Sequence, residues 1–322
     1  MKNSALSKVD RGVLIGAGVV VLLIVLMIVV PESWTLMLNK MVIMALFATS
    51  MNVLLGYGGM MPMGHAIFLG IGGYAYTILV SRAGMPILPS MLLALVIVFL
   101  ASLFIGYFCL KGSGMTFAFL SMGFSTLLYT LIVKWKLAGA EVGLTGAARP
   151  AFASTATGFG IFTVVIVAVC FLALYIFMHS SFAKVVCGLR DNTERLSFLG
   201  INTHKFSFYV FVIGAFFAGV AGILYAMLNY GAYPATLNMA TSTQGLMMCV
   251  LGGATAFLGP TLGAVIITLV VTQLSNVTVY WQALLGIIII PTVLFFRGGI
   301  LGTRYSFLNK KQDGKNAEVT NG

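Results

Sequence analysis

The 322 residues are 60% hydrophobic and only 8% charged, with a formal net charge of +11. An ordinary soluble domain carries about 25% charged residues, so a water-soluble core is excluded. The basic excess does not mark a nucleic-acid binder either, because the lysines and arginines fall between apolar runs and form no interleaved basic–aromatic patch.

The chain opens with Lys2, Lys8 and Arg11 and then stays apolar from Val13 to Val30. That run exceeds the roughly 7–15 residues of a signal-peptide core and approaches the ~20 of a membrane span. Pro31-Glu32 follows instead of a small-residue cleavage site, so a retained first helix is expected. Hydrophobic segments then recur, ten in all, at roughly 13–31, 35–55, 63–80, 88–110, 115–133, 159–178, 207–228, 244–258, 260–277 and 279–296. The third, eighth and ninth are short or rich in glycine, which leaves open broken or re-entrant helices in place of clean spans. The fold class expected is an all-α polytopic membrane protein of about ten transmembrane or re-entrant helices. Residues 1–302 would form one membrane domain, and the polar stretch 303–322 a disordered tail.

From the end of the second segment into the third, Gly56, Gly58, Gly59, Gly64, Gly70, Gly72 and Gly73 are denser than packing requires. With Pro62 they predict a kinked or interrupted helix, the sort of backbone that lines a cavity. Gly252-Gly253 followed by Gly259-Pro260 is a faint echo of this pattern. In the seventh segment Gly214, Ala218, Gly219 and Gly222 give small-xxx-small spacing, read first as close helix packing and second as a sliding gate.

All seven acids, Asp10, Glu32, Glu141, Asp191, Glu194, Asp313 and Glu318, fall at termini or in loops. Ion-coupled carriers rely on intramembrane ionisable relays, so a secondary transporter loses support and stays as the alternative. Few polar groups remain to line a path: Asn52, His65, Thr126, Asn229 and Gln244 are the candidates, with Gly56 and Gly59 beside them. Asn52 and Gln244 read equally as interhelical hydrogen-bond glue, and His65 more readily as a structural histidine than as a proton shuttle. A sparse, mostly apolar lining suits a small neutral or zwitterionic solute. The four cysteines have no disulfide or metal-ligand spacing, and no H-E-x-x-H or paired acids occur. A transporter subunit is expected, not an enzyme, with no cofactor and no metal of its own.

The one long polar insert, at about 179–206, reads SSFAKVVCGLRDNTERLSFLGINTHKF over Ser180–Phe206. Phe182, Val185, Val186, Leu189, Leu196 and Leu199 recur at helical steps, with Lys184, Arg190, Asp191, Glu194 and Arg195 on the other face. A helix is predicted, with Ser180 or Ser181 as N-cap and Gly200 as its left-handed stop. Lying on the membrane surface is one use for it. Acids as well as bases on the polar face favour docking to a protein partner instead. Loop charges put this insert inside: thirteen lysines and arginines share its side, against Lys40, Arg82, Lys134, Lys136 and Arg149 on the other. Both termini would then be cytoplasmic.

The run GLRDNTERLSFLGINTHKFSFYVFVIGAFFAGVAGILYA resembles the coupling-loop region of LivM-type permeases, the membrane subunits of ABC importers for branched-chain amino acids and, in close relatives, urea or short amides. Met51–Tyr76 and Val250–Ala264, with the ending Leu294–Gly302, resemble the same family in order and position. The external Gly143-Leu144-Thr145-Gly146-Ala147-Ala148 departs from its Thr-Gly-Gly turn, which puts the cargo in doubt. The resemblance implies a bacterial inner-membrane, multi-pass importer subunit with a second homologous (LivH-like) permease, two ATPases, a solute-binding protein and membrane lipids as partners. It also implies that Gly188, Arg190, Asp191, Asn192, Leu199 and Gly200 couple to the ATPase. No G-x-x-x-x-G-K-[ST] loop is present, so ATP and its Mg would sit on the partner subunits. A branched-chain or other hydrophobic amino acid is the first expectation for cargo, urea or short amides the next.

Overall fold

The computed structural model describes residue 18, residues 20–278 and residues 280, 283, 284, 286, 287, 299 and 300. The expected tenth segment falls largely outside these residues, and the tail wholly so. The described chain is almost entirely helical, because a backbone in lipid must satisfy its own N–H and C=O groups. In order come α1 (Val20–Val29), α2 (Glu32–Asn52), α3 (Ala66–Ser81), α4 (Ile87–Cys109), α5 (Met115–Lys134) and α6 (Ala156–Met178). They are followed by α7 (Ser181–Asp191), α8 (Thr193–Phe198), α9 (Thr203–Leu228), α10 (Met239–Gly252) and α11 (Gly259–Val277).

Among the described residues, five helices are long and apolar enough to cross a membrane. One of these is α2 lengthened by a π-helical turn, Val53–Tyr57. Over their apolar windows α2 and α9 are 83% and 78% buried, whereas α4, α5 and α6 reach only 28–33%. So α2 and α9 form the central pair, and the other three turn leucine, valine and phenylalanine outward. Against α9 lies α3, at a distance only glycine permits. A Cβ on Gly72 would strike the Gly219 carbonyl, and one on Gly222 the Leu69 carbonyl. The small-residue stripe is therefore a packing seam.

The expected interruptions are real. The path leaves α2 through the π turn, loops through residues 58–65 and only then enters α3. On the other side of the core, the 3₁₀ turn Pro234–Leu237 carries Leu237, fully buried, against Gly70. Its carbonyl accepts a hydrogen bond from Ser125 Oγ at 2.6 Å. The two short helices then meet at their starts, where the Ala66 N–H donates to Ser242 Oγ at 3.0 Å. With 14 residues, α10 is about 21 Å long, short of the ~30 Å hydrocarbon core. The eighth segment is thus a helix too short to span, and it begins at 239, not 244.

One end of the bundle is braced. There β1 (Leu144–Thr145) pairs antiparallel with β2 (Gly231–Ala232), Leu144 opposite Ala232 and Thr145 opposite Gly231. Arg149 caps the C-terminus of α9, donating from Nε to the Met227 carbonyl at 2.9 Å and from Nη2 to that of Leu228 at 2.8 Å. Its guanidinium lies 4.3 Å from the Phe159 ring centroid and 4.0 Å from that of Tyr230. The Tyr76 hydroxyl reaches across to the Ala148 carbonyl at 2.6 Å.

Candidate functional site

At the opposite end, α7 and α8 form a helical hairpin where a single helix was expected. The break is at Asn192, whose backbone is extended (φ −165°, ψ 104°) and whose Oδ1 accepts from the Arg195 N–H at 3.0 Å. Asparagine is a strong N-cap, and here it starts a second helix instead of continuing the first. Ser180 occupies the N-cap position of α7 but does not cap through its side chain, because its hydroxyl donates back to the Phe177 carbonyl at 2.6 Å. Gly200 does adopt the left-handed conformation (φ +77°), and the Ile201 N–H closes the turn onto the Leu196 carbonyl. Gly188 leaves room for Leu196, so α8 folds back on α7.

Ala183, Val186 and Leu189 are buried toward the bundle, as a helix with one apolar stripe requires. On α8 the arrangement inverts: Phe198 is 89% exposed and Leu199 71% exposed. Leu199 was expected on the docking surface. Phe198 was not singled out, and its signal was that it falls off the three- and four-residue rhythm of the apolar stripe. Asp191, Asn192 and Gly200 are exposed on the same hairpin.

Arg190, its side chain 40% exposed, also reaches back to the bundle. Its Nη1 donates to the Gly56 carbonyl, at the π turn, at 2.7 Å, while Nε holds Asp191 Oδ1 at 3.3 Å. Gly59, at φ +66°, passes so close that a Cβ would lie 2.9 Å from the Arg190 Cα. Asn52 Nδ2 donates to the Ala254 carbonyl at 3.1 Å, and a Cβ on Gly56 would run into that same carbonyl. The structure therefore brings Arg190 together with Asn52, Gly56 and Gly59, residues first considered as path lining, at the foot of α2. His65 lies further up, buried, with Nε2 3.1 Å from Ser50 Oγ. Ser50 gives its own proton to the Phe47 carbonyl at 2.7 Å, so Nε2 carries the hydrogen.

Toward the braced end a cleft of about 290 Å³ opens between α2, α3, α9, α10 and α11. Its polar wall includes Lys40, Asn229, Thr241, Gln244 and Thr268; Met44, Leu69 and Val271 supply apolar surface. Of the expected path residues, Gln244 and Asn229 are here. Thr126 instead lies on the outer face of α5, bonded to the Met122 carbonyl at 3.0 Å. Lys40 was counted only as a loop charge. The available signal was its place inside an apolar segment: among the described residues of the long helices, it alone is charged more than two turns from a helix end. The distinctive feature of the molecule is that α2 with its π turn touches both sites. Lys40 and Met44 line the cleft, and Gly56 is held by the hairpin.

Apolar spans, short helices meeting inside the core and a protruding hairpin tied to one central rod define the membrane subunit of a transporter. The chain belongs to the family described as the permease component of branched-chain amino acid transport systems, which its residues 33–293 match. It is 21% identical over 316 residues to the high-affinity branched-chain amino acid transport system permease protein LivM of Escherichia coli K12, covering 87% of this chain and 74% of that one. LivM of Salmonella typhimurium is 22% identical over the same coverage. LivH of E. coli K12 is 29% identical over 140 residues, 41% of this chain and 43% of LivH. No solved structure matches. The protein is a multi-pass permease subunit of an ABC importer.

Proposed function

We propose that this subunit moves a branched-chain or other apolar amino acid inward across the bacterial inner membrane, with the α7–α8 hairpin and both termini on the cytoplasmic side. Two ATPases, carrying the ATP and Mg, engage the complex from that side, and the exposed Phe198 and Leu199 enter the ATPase on this half. A second permease pairs with the chain, and the 140-residue likeness to LivH supports two homologous halves. An external binding protein delivers the solute to the cleft.

The observation that carries this reading is the shared rod. When the ATPases close, the hairpin moves, Arg190 draws the Gly56 carbonyl with it, and α2 tilts. The far end of α2 then changes the shape of the cleft at Lys40 and Met44. A π turn between the two sites suits this role, because such turns interrupt regular helix bonding and recur at functional positions. Closed ATPases favour the outward-open cleft, and hydrolysis resets it. Reconstitution of the chain with its partners tests the proposal through ATP-dependent L-leucine uptake. Uphill uptake by the purified chain alone, on a proton or sodium gradient, would overturn it.

A further inference from the structure

Lys40 is anomalous. It sits in the wall of the cleft on a helix that is mostly buried, and among the described residues no carboxylate lines the cleft with it. Among the described residues the one ion pair is Arg190–Asp191, at the far end of α2. A cation withdrawn from bulk water without a counter-ion is costly, and such residues in membrane helices mark ligand counter-ions. The surrounding wall is amphoteric in the way a zwitterion needs. Asn229 spends its Nδ2 on the Tyr225 carbonyl at 2.8 Å, which leaves Oδ1 as an acceptor. The hydroxyl of Thr268, a residue only 1% exposed, has no hydrogen-bond partner among the described residues. Met44, Leu69 and Val271 complete the cleft with apolar surface, and about 290 Å³ holds a solute well below drug size.

From this arrangement we infer that Lys40 binds the carboxylate of the cargo. The ammonium of the cargo faces Asn229 and the neighbouring polar groups, and its side chain lies on Met44, Leu69 and Val271. This deepens the importer reading above and rests on it. The cargo class is then a small apolar amino acid, and urea and short amides, which carry no carboxylate, are excluded.

The test uses the full chain assembled with its partner permease, ATPases and binding protein in proteoliposomes, with L-leucine as probe and urea and acetamide as comparators. Lys40→Cys should lower ATP-driven leucine uptake at saturating binding protein about ten-fold or more, the scale of a lost charge-assisted hydrogen bond. Modification of that sulfur with an ethylammonium thiosulfonate rebuilds a cation on a chain one atom longer than that of lysine and restores uptake. A methyl thiosulfonate, adding neutral bulk, does not. Both reagents are also applied to the unsubstituted protein, because Cys187 is only partly buried. Should Lys40→Cys fail to reach the membrane, Lys40→Arg and Lys40→Gln give the same contrast, activity kept in the first and lost in the second. Wild-type uptake by the neutral variant, or equal rescue by both reagents, would overturn the carboxylate role. Uptake of urea or acetamide but not leucine by the wild type would overturn the cargo class and leave the importer reading standing. Absence of ATP-driven uptake of all three would overturn the amino-acid cargo proposed above and the Lys40 site together.

Discussion

The two ends of the bundle are built on opposite plans. At the β1–β2 end, the strand ladder, the Arg149 clamp on the Met227 and Leu228 carbonyls and the Tyr76–Ala148 bond tie α3, α6, α9 and the connecting loops together. At the hairpin end, α7 packs on the bundle through Ala183, Val186 and Leu189, the Arg190 guanidinium bonds the Gly56 carbonyl at the foot of α2, and two large apolar side chains are left uncovered. A frame braced by ladder and clamp at one end, with a small packed element joined to the central rod at the other, converts a push into tilting, because a packed core resists continuous deformation. The difference between the ends is therefore the mechanical content of the fold.

The strongest way to break the comparison is to open the seam that both ends share. Gly222→Ile places a side chain against the Leu69 carbonyl and should cost about 3 kcal/mol or more, read as loss of folded protein from membranes. Gly123→Ile on α5, where nothing lies within 4 Å, is the control and should accumulate normally. Next comes the brace. Arg149→Ala leaves two α9 carbonyls without their donor and should lower stability by about 2 kcal/mol, seen as a reduced melting temperature of the detergent-solubilised protein. An unchanged melting temperature would mean that the ladder end is not a brace. Smaller again is the docking surface. Phe198→Ala should weaken ATPase association about ten-fold in a titration of the purified partners, with the melting temperature of the permease unmoved.

How much of this was legible in the sequence depends on how far apart the cooperating residues lie. The hairpin stood out because a polar insert with an apolar stripe separates two long apolar runs, and Gly200 announced its stop. The glycines of α9 announced close packing, since their spacing is local to the helix, whereas those of α3, read as marking an interruption, pack against α9. What escaped was non-local or hung on one residue. The break at Asn192 rests on a single extended backbone, inside a stretch whose helical rhythm runs on across it. The cleft draws Lys40 from α2 and Val271 from α11, and no spacing rule joins positions so distant. Gly56 and Gly59 were read as cavity-lining because glycine-rich breaks often are. Here their missing side chains admit Ala254 and Arg190 instead.

The smallest expected effect bears most directly on the contrast between the ends. If Arg190 belonged to the docking surface, its loss would weaken ATPase binding as the loss of Phe198 does. Its geometry argues otherwise, because Nη1 is committed to the Gly56 carbonyl inside the permease. The pair with Asp191, whose side chain is 68% exposed, adds little stability in water. Arg190→Ala should therefore leave ATPase affinity within about two-fold, under 0.5 kcal/mol, while slowing coupled uptake about five-fold. ATP would still be hydrolysed, but fewer cycles would move α2. Arg190→Lys keeps the charge and shortens the reach, so uptake should recover only in part. The decisive quantity is the ratio of solute moved to ATP hydrolysed. A ratio equal to wild type, with both rates reduced together, would make Arg190 a docking residue and remove the hairpin-to-α2 link.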